Sequence, residues 1–188
     1  MPCRRLGVAV SPTCLILDCD GVLVDSELIA ARVAAECFTR AGAAISMIEV
    51  VERFAGMKAT EVTNTVFAER GVAVPERATE MRREAIMAAL EVELRAMPGA
   101  DEALAAIPAL KCVASSSHPD RIALALRVTG LAHHFGSDVF SSFMVERGKP
   151  APDLFLYAAK AMGAEPGHCV VVEDSVAGVT AGKAAGMS

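Results

Sequence analysis

The sequence contains no tryptophan, and only 4% of its residues are aromatic. It has no run of basic residues, and its net charge of −5 arises from charges of both signs scattered along the chain. Nucleic-acid-binding domains typically carry a basic face and use aromatic side chains to stack on bases. The composition therefore argues against a nucleic-acid partner.

Paired cysteine motifs and long apolar runs are also absent. The six cysteines form no Cys-x-x-Cys pair, and Cys14, Cys112 and Cys169 lie in apolar, strand-like segments. This distribution is typical of buried, reduced thiols and predicts a cytoplasmic protein. No uncharged apolar run is long enough to cross a bilayer, and the short apolar stretch near the N-terminus makes a poor signal peptide. We expect no membrane partner.

Four short apolar segments have the pattern of fully buried strands that end in polar residues. Hydrophobic residues make up 53% of the 188 residues, which is enough for a sizeable core. Helical patterns follow the last three segments, and strands that alternate with helices predict a parallel sheet in an α/β domain. The predicted strands are 14–18, 111–115, 138–142 and 169–173.

The long stretch between the first two predicted strands shows helical patterns only. Breaks that contain glycine or proline divide it into four segments, and together these are too long for a single crossover helix. We therefore expect an inserted helical domain at 27–97 and an α/β core formed by 1–26 and 98–188. The four helical segments are 26–41, 46–54, 60–70 and 75–94.

The first strand leads directly into two carboxylates, Asp18 and Asp20. In open parallel sheets, ligands bind in the crevice at the carboxyl ends of the strands. The other three strands lead there to a run of serines, to a lysine in a loop and to a second pair of carboxylates: Ser115–Ser117, Lys149, and Glu173 with Asp174. Clustered carboxylates repel one another unless a cation joins them, and oxygen ligands favour Mg²⁺. A lysine beside them would attract a phosphate group.

Each of these features has an ordinary structural explanation when it stands alone. Asp18 and Asp20 can be a polar strand end, the serines can begin a helix, and Lys149 can lie in a solvated turn. Glu173 and Asp174 can supply negative charge to the N-terminus of the last helix. Their joint occurrence at four strand ends is what indicates an active site.

The four histidines show no metal-ligand spacing with cysteine or acidic residues along the sequence. We interpret them as surface or loop residues: His118, His133, His134 and His168.

Four segments, in this order, resemble the four motifs of the haloacid dehalogenase superfamily of phosphohydrolases. They are DCDGVLVDS at 18–26, VASS at 113–116, KPAPD at 149–153 and VEDS at 172–175. The helical insert is similar to the four-helix cap of the branch that contains β-phosphoglucomutase and phosphoglycolate phosphatase. The resemblance covers essentially the whole chain and implies an α/β fold, with a Rossmann-like parallel sheet core and an inserted four-helix cap domain.

The resemblance assigns chemical roles to the carboxylates. Asp18 would be the nucleophile that accepts the phosphoryl group, and Asp20 would protonate the leaving oxygen and later deprotonate the attacking water. The Mg²⁺ cofactor would bind Asp18, the backbone carbonyl of Asp20, and Asp174. Glu173 would contact the ion directly or lie just behind its ligands.

The remaining roles concern phosphate and substrate. Ser115, the Ser116 amide and Lys149 would hold the phosphoryl oxygens as charge builds on them. Segments 54–58 and 158–162 resemble the 6-phosphogluconate phosphatase branch of the family. Gly56 and Lys58, in a loop between two cap helices, would then approach the substrate. The expected protein is a monomeric phosphatase that acts on a small phosphorylated metabolite.

The sequence is compatible with two alternative functions. A phosphomutase similar to β-phosphoglucomutase would use a cap histidine at the position of Ala30, so the alanine counts against it. A phospho-accepting signalling module would share an aspartate, Mg²⁺, a serine and a lysine, but such modules lack a helical insert. Relatives also continue past the last helix with another strand, so we expect 169–173 to form an exposed sheet edge and the C-terminus to be shortened or altered.

Overall fold

The computed structural model describes residues 14–54 and 57–188. Four strands form one sheet in the order β3-β2-β1-β4, and every neighbouring pair is parallel. The parallel α/β sheet predicted from the sequence is confirmed. The third strand is shorter than predicted because a 3₁₀ turn already begins at Ser142. The strands are β1 at Cys14–Leu17, β2 at Leu110–Ser115, β3 at Val139–Ser141 and β4 at Cys169–Val172.

Eight α-helices lie within the described residues. Seven correspond to the helical segments predicted from the sequence, and the short helix α5 was not predicted. Its seven residues are too few to show a clear apolar period. The helices are α1 at Glu27–Arg40, α2 at Met47–Phe54, α3 at Ala59–Glu69, α4 at Ala78–Glu93, α5 at Ala100–Ala106, α6 at Pro119–Val128, α7 at Asp153–Ala161 and α8 at Val176–Ala184.

Helices cover both faces of the sheet. Successive side chains of a strand point to opposite faces, so the apolar run of β1 supplies two separate clusters. Leu15 and Leu17 pack in one cluster with residues of α6 such as Ile122. Ile16 packs in the other with residues of α7 such as Leu154. Burial on both faces explains why β1 is continuously apolar rather than alternating.

The helices α1 to α4 enclose a third apolar cluster of their own. Phe38 and Phe67 meet there edge to face, with ring centroids 5.8 Å apart. The end of α4 belongs instead to the first cluster, because Leu90 and Leu94 are buried against the α/β part of the chain. The helical stretch thus has its own core and is anchored to the sheet layer through α4.

Two chain segments connect the helical stretch to the α/β part, and they bond to each other. The Asp25 amide donates to the Arg95 carbonyl at 3.1 Å, and the Met97 amide donates to the Leu23 carbonyl at 2.9 Å. Val24 and Ala96 form an isolated antiparallel bridge between them. The entry to α1 and the exit from α4 are therefore held side by side.

The edge strand β4 forms backbone hydrogen bonds on its outer side, away from β1. The Val171 amide donates to the Ser188 carbonyl at 2.8 Å, and the Ser188 amide donates to the Cys169 carbonyl at 3.2 Å. This is the pattern of a parallel pairing on the outer side of β4.

The described cysteines are free, and four of the five are buried, in agreement with the sequence analysis: Cys14, Cys19, Cys112 and Cys169. Among the described residues, none of the helices combines the length and the apolar character that crossing a membrane requires.

Candidate active site

Asp18 lies at the carboxyl end of the inner strand β1. Its amide donates to the Val172 carbonyl of β4 at 3.0 Å, which fixes the backbone where β1 ends. The Asp18 side chain is only 12% exposed. This burial raises the pKa of Asp18 to about 6, although the neighbouring Lys149 acts in the opposite direction.

Lys149 connects the first and fourth motifs. Its ammonium group donates to Asp18 Oδ1 at 2.9 Å and also to Glu173 Oε1. The other oxygen of Glu173 accepts hydrogen bonds from the Ser175 amide and hydroxyl. Both Glu173 oxygens are therefore occupied by protein donors, which suits a residue that orients Lys149 better than one that contacts a metal ion.

Gly178 makes room for this arrangement at the start of α8. A Cβ atom at Gly178 would overlap the Glu173 carboxylate. The Gly178 amide donates to the Ser175 hydroxyl at 3.0 Å, which caps the helix. Glu173 can therefore reach Lys149 only because residue 178 lacks a side chain.

Asp20 is held by three side-chain donors from three parts of the chain. Arg121 donates to Oδ1 at 2.8 Å, Ser117 donates to Oδ2 at 2.5 Å, and the Ser26 hydroxyl also donates to Oδ1. Burial raises the pKa of Asp20, but Arg121 and the two hydroxyls outweigh it, and the net pKa lies below its usual value. Asp20 is thus an ionised carboxylate in the observed arrangement.

Asp174 completes a cluster of oxygen ligands. Carboxylate oxygens of Asp18, Glu173 and Asp174 lie within 4.8 Å of one another. Gly21, with a φ of +77°, passes so close that a Cβ there would overlap the Asp174 carboxylate. Burial, first, and the negative charge of Glu173 raise the pKa of Asp174. An all-oxygen set of this kind fits Mg²⁺, and a bound cation would offset the repulsion between the clustered carboxylates.

The three serines at the end of β2, Ser115 to Ser117, have different environments. Ser115 is buried at the end of β2, and its hydroxyl accepts a hydrogen bond from the Ser117 amide at 3.1 Å. Ser116 is exposed. Ser117 contacts Asp20, and its carbonyl accepts a hydrogen bond from the Ser141 hydroxyl at 2.7 Å. The loop after β2 is thereby tied to both β1 and β3.

The two predicted substrate-contact residues of the insert do not join this group of side chains. Gly56 lies outside the described residues. Lys58 precedes α3 and is exposed, and it has no ionic partner in the described part of the chain.

Arg121, Ser26 and Gly178 contact site residues but were not singled out by the sequence analysis. Arg121 and Asp20 are 101 positions apart, so no local pattern connects them. Ser26 is the last residue of the first motif, and this position is the one sequence feature that connects it with Asp20. Gly178 is a glycine inside a helix, which is unfavourable without a packing reason.

The prediction that the histidines are surface or loop residues agrees with the place of His134 in the turn at Leu131–His134, but it missed an acidic partner. The His134 side chain is only 9% exposed, and its Nε2 lies 2.7 Å from Asp101 Oδ1. The acidic partner is 33 positions away in the sequence, so a search for short metal-ligand spacings could not find it.

Residues 12–186 match the family described as haloacid dehalogenase-like hydrolase. The chain belongs to this family. The 6-phosphogluconate phosphatase of Escherichia coli (strain K12) is 37% identical over 174 residues, which cover 92% of this chain and 79% of the relative. The resemblance stated from the four motifs is confirmed.

Two solved structures of haloacid dehalogenase-like proteins support the same assignment. A protein of unknown function from Agrobacterium tumefaciens is 36% identical with a TM-score of 0.83, covering 94% of this chain and 81% of its own. A hydrolase from Deinococcus radiodurans, with bound phosphate and sodium, is 33% identical with a TM-score of 0.78. That alignment covers 95% of this chain and 80% of the other.

Gly178→Ala is expected to lower kcat by about 10²-fold, because it displaces Glu173 and with it Lys149, and small misplacements of catalytic groups are that costly. Gly182→Ala on the same helix is the matched control, since its Cβ would meet Val171 at an ordinary distance of 3.4 Å. Steady-state kinetics of both variants provides the measurement. Equal activity of the two variants would show that the space at Gly178 has no role in the site.

Proposed function

We propose that this protein is a Mg²⁺-dependent phosphatase that acts on a small phosphorylated metabolite through an aspartyl-phosphate intermediate. The observation that carries the proposal is the buried contact between Asp18 and Lys149, with a carboxylate oxygen of Asp174 within 4.8 Å of one of Asp18. A carboxylate that faces a buried ammonium group can attack a phosphorus atom whose oxygens the same ammonium group attracts. The membership of the family and the phosphatase relative support the same reaction.

In the first half of the proposed reaction, an oxygen of Asp18 forms a bond to phosphorus as the bond to the leaving oxygen breaks. Asp20 donates a proton to that oxygen, which departs as an alcohol. The negative charge of a bound phosphate group favours the protonated form of Asp20 despite the contact with Arg121. Lys149, Ser115 and the Ser116 amide hold the other phosphoryl oxygens.

In the second half, water attacks the phosphorus atom of the aspartyl phosphate. Asp20 takes a proton from that water, the bond to the Asp18 oxygen breaks, and inorganic phosphate leaves. Mg²⁺ held by Asp18, Asp174 and the Asp20 carbonyl would offset the repulsion between the carboxylates and the phosphate. We assign Glu173 to the orientation of Lys149.

We further propose that residues 27–97 act as a cap over the site and that the substrate is a phosphorylated sugar or sugar acid. The relative named 6-phosphogluconate phosphatase makes 6-phosphogluconate the first candidate. This compound carries a carboxylate besides its phosphate. The exposed cation of Lys58, at the start of α3, is suited to that second anionic group.

The test is phosphate release from a panel of 6-phosphogluconate, phosphoglycolate and sugar phosphates. We expect many turnovers per chain with Mg²⁺, none after the ion is removed with a chelator, and recovery when it is restored. A single phosphorylation per chain without turnover contradicts the phosphatase assignment. The assignment is also contradicted if β-glucose 1-phosphate, with a trace of the bisphosphate, is converted to glucose 6-phosphate faster than free phosphate is released.

Lys58→Ala is expected to lower kcat/KM for 6-phosphogluconate by about tenfold, which corresponds to about 1.4 kcal/mol of lost transition-state stabilisation. It should hardly affect p-nitrophenyl phosphate, which has no second anionic group. Lys160→Ala, an exposed lysine on α7 outside the insert, is the matched control. Equal losses on both substrates would assign Lys58 to general stability instead of substrate recognition.

A further inference from the structure

Three potential metal ligands meet outside the active site, between α5 and the 3₁₀ turn at Leu131–His134. They are Asp101, His133 and His134, and one ligand atom of each lies within 4.8 Å of the other two. Asp101 Oδ1 is 2.7 Å from His134 Nε2 and 3.8 Å from His133 Nε2. These residues share no contact with the carboxylates around Asp18 in the described part of the chain.

The tautomer of His133 follows from its second contact. His133 Nδ1 lies 2.8 Å from the Gly130 carbonyl oxygen, which can only accept a hydrogen bond. Nδ1 therefore carries the hydrogen, and in the neutral ring Nε2 holds a free lone pair on the side of Asp101. A ring that donates its other N–H to a carbonyl is the usual arrangement of a metal-binding histidine.

The distances suit a tetrahedral ion. Ligands about 2.0–2.1 Å from a tetrahedral zinc ion are separated from one another by about 3.3 Å. The two separations from Asp101 Oδ1, 2.7 Å to His134 Nε2 and 3.8 Å to His133 Nε2, lie on either side of this value. The Asp101 side chain is 61% exposed, so its carboxylate can rotate to a position about equally far from both histidine nitrogens without disturbing packed residues.

A structural hydrogen bond between His134 and Asp101 explains only part of this arrangement. It accounts for the burial of His134 and for a connection between α5 and the turn. It does not account for His133. The His133 side chain is 65% exposed, yet its ring centroid lies 3.9 Å from that of His134. Its Nδ1 is held by the hydrogen bond to the Gly130 carbonyl. An exposed ring held in one orientation beside a second imidazole is suited to a shared ligand.

We propose that Asp101, His133 and His134 form a Zn²⁺ site with a water molecule as the fourth ligand. Two imidazoles and one carboxylate suit zinc and not Mg²⁺, which takes oxygen ligands. Binding requires His134 in the tautomer with its hydrogen on Nδ1, so that the ion replaces the hydrogen now shared with Asp101. The ion would then join α5 to the turn after α6.

Calorimetric titration with Zn²⁺, in an excess of Mg²⁺ that occupies the oxygen site, tests the proposal. We expect one saturable zinc ion per chain, and an affinity at least about tenfold weaker in both His133→Ala and Asp101→Asn. His118→Ala is the matched control, because His118 pairs with Asp120 at 3.4 Å but the ring beside it is that of Phe143 and not a second histidine. Its zinc affinity should equal that of the wild type.

Two further measurements separate this site from the active site. Asp174→Ala should retain the zinc ion, and Co²⁺ in place of zinc should give the strong visible absorption of a four-coordinate ion, which His133→Ala removes. The proposal is overturned if the wild type binds no zinc in excess Mg²⁺, if His133→Ala binds it equally well, or if Asp174→Ala alone abolishes binding.

Discussion

Asp18→Asn is expected to abolish phosphate release while the folded structure remains. The amide oxygen of asparagine is a far poorer nucleophile than a carboxylate, so the phosphoryl group has no acceptor. Phosphate release and circular dichroism, measured on the same sample, check both parts of the expectation. Asp120→Asn, an exposed residue of α6, is the control and should keep full activity.

The stability of the Asp18→Asn variant provides an independent check. Burial raises the pKa of Asp18 to about 6, so the folded state binds more protons than the unfolded state between about pH 4 and pH 6. In that window, stability falls as pH rises, and at neutral pH the buried charge is a cost. The metal-free variant should therefore melt at or above the wild-type temperature at pH 7. Substantial turnover, or a clearly lower melting temperature, would contradict the nucleophile assignment or the environment described for Asp18.

Asp20→Asn is expected to lower the turnover of a sugar phosphate by about 10²–10⁴-fold, the usual contribution of a general acid-base group. p-Nitrophenyl phosphate should behave differently, because its leaving group departs without a proton. The first half of the reaction then proceeds while the second is slow. In a rapid-mixing experiment, we expect a burst of about one p-nitrophenolate per chain, followed by slow turnover.

The burst separates the proposed role of Asp20 from damage to the site. If Asp20 served only to position Arg121 and Ser117, its substitution would slow both substrates equally and give no burst. A sugar phosphate that still reacts at the wild-type rate would exclude Asp20 as the acid. Asp120→Asn again serves as the control, since its charge change lies outside the site.

The sequence predicts the parts of the fold that depend on local signals. Four apolar segments with polar ends identify the strands, because a strand buried on both faces is continuously apolar. Asp18 and Asp174 are predicted for the same reason, since each follows closely on a strand end, and Lys149 is predicted from the loop that leads on from β3. The parallel order of the strands then brings them to one edge of the sheet.

The contacts that the sequence does not predict are those made by residues far apart in the chain. No local pattern in α6 distinguishes Arg121 from Arg127 of the same helix, and Arg121 meets Asp20 only when β1 and β2 pair. Asp101 and His134 likewise meet only after α5 packs against the 3₁₀ turn at Leu131–His134. A charge pattern along the chain does not determine which of many acidic residues a given arginine or histidine contacts.

The paired segments at the base of the helical stretch limit how it can move. Leu23 and Asp25 are bonded to Met97 and Arg95, so neither connection can swing without the other. Two connections held side by side restrict twisting of the helical stretch more than a single connection would. Ser26 directly follows the first of them and donates to Asp20, so the connection that holds the helical stretch also holds the carboxylate that would handle the proton.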